Sequence, residues 1–188
     1  MPAVLDLAAQ QKKLQRLYDD INEASWFTAV GEPMVETEQH DAEQYIKTIG
    51  FASYSVKAVA NWSEARRITM DPEWDQFWWK AEEKQRKELF EKASKTIGEY
   101  ALLMLLTEVN EMSAEHVHGH AALAAARMGV ADQNLSRVAA GSASQACFQA
   151  ALAMLNDAGE GHPFMARLRL FTAGRWPLSV SNATFYVF

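Results

Sequence analysis

Apolar side chains recur along most of this chain at intervals of three and four, the spacing that lines one face of an α-helix. Leu7, Leu14, Leu17, Tyr18, Ile21 and Ala24 do so between about Val4 and Phe27, and Gly31, Glu32 and Pro33 follow as a stop. A shorter helix is predicted from Glu38 to Ile49, with Ala42, Tyr45, Ile46 and Ile49 as its stripe, Thr37 placed to cap it and Gly50 to end it. His40 falls about 160° from that stripe, on the solvent side. A third helix is predicted from Tyr54 to Thr69, with Val56, Val59, Trp62 and Arg66 on one side. Asp71-Pro72-Glu73 then reads as an N-cap, a proline at the first helical position and an acid in the first turn. The helix it opens begins with Trp74, Phe77, Trp78 and Trp79 and continues into KAEEKQRKELFEK, an aromatic end on a charged shaft that is expected to pack only partly against the body.

The stretch from Tyr100 to Met128 is the most apolar at its start and carries three histidines near its end, with Gly129 placed to stop it. From Gln133 to Asn156, after the capping residue Asp132, the pattern loses its polar face. Ala139, Ser142, Ala146, Ala150 and Ala153 form a small-residue side, and Phe148, Leu152 and Leu155 a bulky one. A helix apolar nearly all round belongs in the interior, and this one is predicted to be central. Pro163 opens a short helix to about Thr172 that Gly174 ends. The periodicity then changes, and Trp176 to Val180 and Ala183 to Phe188 read as two short strands around Ser181-Asn182. The pattern thus predicts a mainly all-α, single-domain helical bundle of six or seven helices with a short C-terminal β-hairpin.

Composition changes this picture in a few places. With 188 residues, 49% hydrophobic, the chain suits one full core and is short for two. It divides into an acidic helical body, residues 1–160, and a locally basic C-terminal extension, residues 161–188, where Arg167, Arg169 and Arg175 stand without any acid after Glu160. A net charge of -6 argues against a nucleic-acid partner. A single cysteine, Cys147, fits a reducing compartment, and the start of the chain lacks the basic-then-apolar order of a secretory signal. No run approaches the roughly 20 apolar residues of a membrane span. The expectation is a cytoplasmic protein without a membrane partner.

Candidate chemistry concentrates in Tyr100 to Met128. On a helical wheel Glu108, Glu111, Glu115 and His118 share one side, opposite Leu102, Leu106, Val109, Met112 and Leu123. Glu115 and His118 have the Glu-x-x-His spacing of ferritin-like carboxylate bundles, but the second such motif those need does not occur. His116 and His120 fall in line with Leu123 on the apolar side, four residues apart, where two imidazoles can share a metal. The segment from His116 through Gly119 to Gly129 resembles the closing helix of the DNA-damage-inducible four-helix-bundle metalloproteins. That resemblance implies a third ligand on another helix, for which His40 is the candidate, although it falls on an outer face.

Arg167, Arg169 and Arg175, with Trp176 and Tyr186 near them, are candidates for binding an anion. Cys147 sits among alanines, where a thiol behaves as a small apolar group. No phosphate loop or Gly-x-Ser-x-Gly elbow is present and no cofactor is predicted, a divalent transition metal being the alternative that the histidine pair leaves open. The leading expectation is a non-enzymatic interaction or regulatory protein that meets a protein partner, or a second copy of itself, through Trp74, Phe77, Trp78 and Trp79. The alternative is a metal-binding helical-bundle enzyme using His116 and His120.

Overall fold

The structure, a computed structural model, describes residues 7–130 and 132–188. Among them are seven helices and a small three-stranded sheet, a mainly α-helical fold. The first helix, α1 (Leu7–Glu23), buries the predicted stripe Leu14, Leu17, Tyr18 and Ile21; its predicted start near Val4 lies outside the described residues. α2 (Glu36–Thr48) begins ahead of Thr37, because Glu38 reaches back to accept the Val35 N–H at 2.9 Å and so satisfies one donor of the first turn. Its Ala42, Tyr45 and Ile46 are buried as the spacing predicts.

The segment from Tyr54 to Thr69 is not one helix. Ser55–Ala58 form a strand, β1, and α3 (Trp62–Thr69) starts only where the Asn61 side chain accepts the Glu64 N–H at 2.9 Å. β1 pairs in parallel with residues far along the chain, Ser55 opposite Thr184, so a distant partner and not local propensity decides its conformation. The next helix also starts later than Asp71 suggests. Asp71 caps only a turn, accepting the Glu73 N–H, while α4 (Gln76–Ile97) is capped by Asp75. Residues 74 and 75 are held extended by a bridge from Trp74 to Ser181 and by the Asp75 N–H bond to the Val180 carbonyl at 2.7 Å. Helix can begin only beyond them.

One residue, Gly98 at φ +90°, separates α4 from α5 (Glu99–Arg127). The buried seam of α5 runs Leu102, Leu106, Val109, Ser113, Val117, Ala121 and Ala124, and it packs on α6 (Gln133–Leu155). This corrects the wheel. Because the facing side of α6 is lined with alanine, α5 buries its own small residues there, and Leu123 is left 57% exposed. α6 is capped by Asp132, whose Oδ1 accepts from the N–H groups of Asn134 and Leu135. Its length and mean hydropathy of 1.3 meet the composition of a membrane span, which the sequence reading did not anticipate. The helix is instead the core of the fold, enclosed by α1, α4, α5 and α7.

Residues 163–172 form α7 (Pro163–Thr172), which packs against α2 and α6 with Phe164, Leu170 and Phe171 fully buried, so the C-terminal part is interior and not an appendage. Gly174, at φ +92°, turns the chain where no side chain fits: a Cβ would stand 2.7 Å from Thr28 Oγ1 and 2.8 Å from the Ser25 carbonyl. The hairpin follows as β2 (Pro177–Ser181) and β3 (Thr184–Val187), with Asn182 and Ala183 at φ 48° and 53° in the left-handed turn that matches strand twist. β3 lies between β1 and β2. Phe185, inside the sheet, meets Tyr45 of α2 at 4.9 Å between ring centroids.

Candidate functional site

The start of α4 decides which aromatic side chains reach solvent. Asp75 Oδ1 accepts the Phe77 and Trp78 N–H groups, and its Oδ2 accepts the Tyr54 hydroxyl at 2.7 Å. Successive helical residues point about 100° apart, so three neighbouring aromatics cannot all turn inward. Trp78 is buried at 8% exposure, whereas Phe77 is 75%, Trp79 46% and Trp74 38% exposed. The four predicted contact residues therefore divide into one that anchors and three that face out.

Between Trp78, Trp79 and the neighbouring elements lies a groove of about 680 Å³, walled by Ile68 and Thr69 of α3 and by Leu178 and Ser179 of β2. Trp74 and Trp79 line it and pack on each other edge to face, with ring centroids 6.2 Å apart and planes at 78°. A second cavity of about 380 Å³ continues from it, sharing Trp74, Gln76 and Lys80 and adding Phe77. The Ser179 hydroxyl has no protein partner among the described residues.

Behind the groove a polar chain runs into the core. Trp78 Nε1 donates to the Tyr45 hydroxyl at 2.8 Å, and that hydroxyl donates to Glu82 Oε1 at 3.0 Å. The same oxygen accepts from Arg167 Nη1 at 2.8 Å, which also donates to Gln149 Oε1 at 2.8 Å. Glu82 and Arg167 are each only 4% exposed. Burial first, then the Glu82 charge, holds the Tyr45 pKa well above the ordinary phenol value, so this hydroxyl stays a donor. Sequence reading missed Glu82, which looks like one more charge in a solvated shaft. The available signal was spacing: Glu82 is four residues after Trp78, on the face that later buries Ala93 and Ile97.

The three arginines proposed to hold an anion do not converge. Arg167 is committed to Glu82, Arg169 to Asp41 at 2.8 Å and to Gln44, and Arg175 to Glu38 at 2.8 Å and to the carbonyls of Ala29, Glu32 and Pro33. Each balances a carboxylate of the helical body and ties α7 or the turn after it to α2 or α4.

His116 is half-buried and His120 exposed, on the flank of α5 and not in its buried seam. The His120 pKa is lowered by partial burial and then by the positive charge of His116 and Arg127. Among the described residues no three histidine, cysteine, aspartate or glutamate side chains come together as a metal would require, and His40 is exposed on α2. Glu111, Glu115 and His118 face solvent, as the wheel places them. Cys147 is fully buried, which pushes its thiol up to about 12. Comparison with protein-family models, curated proteins and solved structures finds no match, so the short resemblance of the histidine segment to a metalloprotein helix gains no support.

Proposed function

We propose that the protein acts by binding and not by catalysis, and that its contact surface is the aromatic groove at the start of α4. The observation that supports this is the combination of a preformed concave site with Trp74, Phe77 and Trp79 part-exposed around it, held by the Asp75 cap and the bridge to β2. Cavities of roughly 300 to 1,000 Å³, mostly apolar with a few polar groups, are the usual form of a binding site. A buried, unpaired Cys147 fits action in a reducing cytoplasm.

A neutral apolar fluorophore, Nile red, tests the reading without presuming a ligand. The native protein is expected to bind it saturably, with energy transfer from tryptophan, and Trp79→Ala is expected to weaken that binding about ten-fold, given the contact area an aromatic wall supplies. Absence of dye binding by the folded protein, or binding unchanged in both Trp79→Ala and Phe77→Ala, overturns the proposal.

A further inference from the structure

The charges around the groove narrow what it takes. The chain carries a net charge of -6, yet the walls of the larger cavity contain no aspartate or glutamate. Their one formal charge is Lys80, which has no carboxylate partner among the described residues; its recorded neighbour is the Phe77 ring, with the ammonium 5.9 Å from the centroid. An unpaired cation beside aromatic walls on an acidic protein is complementary to an anion. Trp74 and Trp79 pack edge to face on each other and remain 38% and 46% exposed, leaving indole surface on which a flat ring can stack. Gln76 adds an amide group to the same walls. The adjoining cavity shares Lys80 but is lined by Glu73 and Asp75 as well, so an anion is better placed in the larger one.

We propose that the groove is a site for a planar aromatic carboxylate, its ring stacked on the exposed indole surface of Trp74 or Trp79 and its carboxylate against the Lys80 ammonium. This assignment rests on the groove being the contact surface.

The test uses three naphthalenes with one ring system and different charge: 2-naphthoate, 2-naphthamide and 2-naphthylmethylamine. Each is titrated into 15N-labelled full-length protein, with binding read at the six tryptophan indole N–H resonances, assigned by single Trp→Phe variants. The carboxylate is expected to shift the Trp74 and Trp79 signals and to bind about three-fold tighter than the amide, the size of an exposed ion pair. Lys80→Met, a change on an exposed helical face, should erase that difference while leaving the amide affinity and the dispersion of the spectrum unchanged. Equal affinity for amide and carboxylate, tighter binding of the amine, a preference that survives Lys80→Met, or shifts confined to other tryptophans each overturn the proposal. If Nile red binds and naphthoate does not, the ligand assignment fails and the groove reading stands. If neither binds, both fail.

Discussion

Replacing Glu82 by methionine is the most informative perturbation of this fold. The side chain is similar in length and apolar, so packing is largely kept while the carboxylate is lost. Arg167 then retains only the neutral acceptors Gln149 Oε1 at 2.8 Å and Ser142 Oγ at 3.3 Å for a charge that is 4% exposed. A guanidinium cannot shed its proton, so the charge stays buried without a counter-ion. Breaking one partner of a buried pair in this way costs about 3 to 5 kcal/mol, and the stranded Tyr45 hydroxyl adds about 1 kcal/mol. With a urea dependence of about 2 kcal/mol per molar, the unfolding midpoint should fall by about 2 M. Arg167→Met should cost less, about 2 to 3 kcal/mol, because a lone buried carboxyl can neutralise itself by taking up a proton and here still accepts from the Tyr45 hydroxyl. The double variant should lie within about 1 kcal/mol of the parent, since replacing a whole buried pair by apolar groups is often neutral. Urea unfolding of all four proteins, followed by far-ultraviolet circular dichroism, closes the cycle. Single losses below about 1 kcal/mol, or losses that simply add, would refute the coupling derived from the geometry.

Four other outcomes follow from single sites. His162 caps α7 by accepting the Phe164 N–H on Nδ1, and burial lowers its pKa below the unfolded value of 6.5. The unfolded chain therefore binds that proton more readily, and the stability this site contributes, fully present above pH 6.5, is lost as pH falls through the folded pKa; in His162→Asn, which caps without titrating, this loss should be missing from the stability-against-pH curve. Cys147, fully buried with its thiol pushed up to about 12, should react with a disulfide reagent only through unfolding, so rapid stoichiometric labelling of native protein would contradict its placement. Gly174→Ala should destabilise by about 2 to 5 kcal/mol, from positive φ and contacts of 2.7 to 2.9 Å, whereas Ala183→Gly, relieving φ 53° in the hairpin turn, should stabilise by about 0.5 to 1 kcal/mol; thermal unfolding reads both.

The helical body was legible because its signals are local. Apolar spacing, the cap at Asp132 and the opening proline Pro163 identify α6 and α7 to within a residue, and the all-round apolar character of α6 places it at the centre. What escaped depends on partners far along the chain. β1 is four mostly exposed residues whose register is set 129 positions away, so no alternation marks it. Glu82 turns inward to meet Arg167, 85 positions on, and nothing in its own segment sets it apart from the solvated glutamates beside it. The histidine pair was misplaced for a different reason. The wheel was weighted toward large apolar residues, while the interface of α5 with α6 selects small ones, Ser113, Ala121 and Ala124, and rotates His116 and His120 toward its edge. For the aromatic run, composition located the site and the Asp75 cap decided which rings are presented.

The central position of β3 also has a consequence for synthesis. Residues 184–187 leave the ribosome after both of the strands they pair with, yet those strands hydrogen-bond to them and not to each other. On a nascent chain β1 waits through more than 100 further residues with its ladder unmade, and the Asp75 bond to Val180, which holds the start of α4, has no partner until the hairpin arrives. The helical body can gather as it emerges, but the β2 wall of the groove and the bridge that fixes Trp74 come only once residue 181 has been made, more than 100 residues after Trp74.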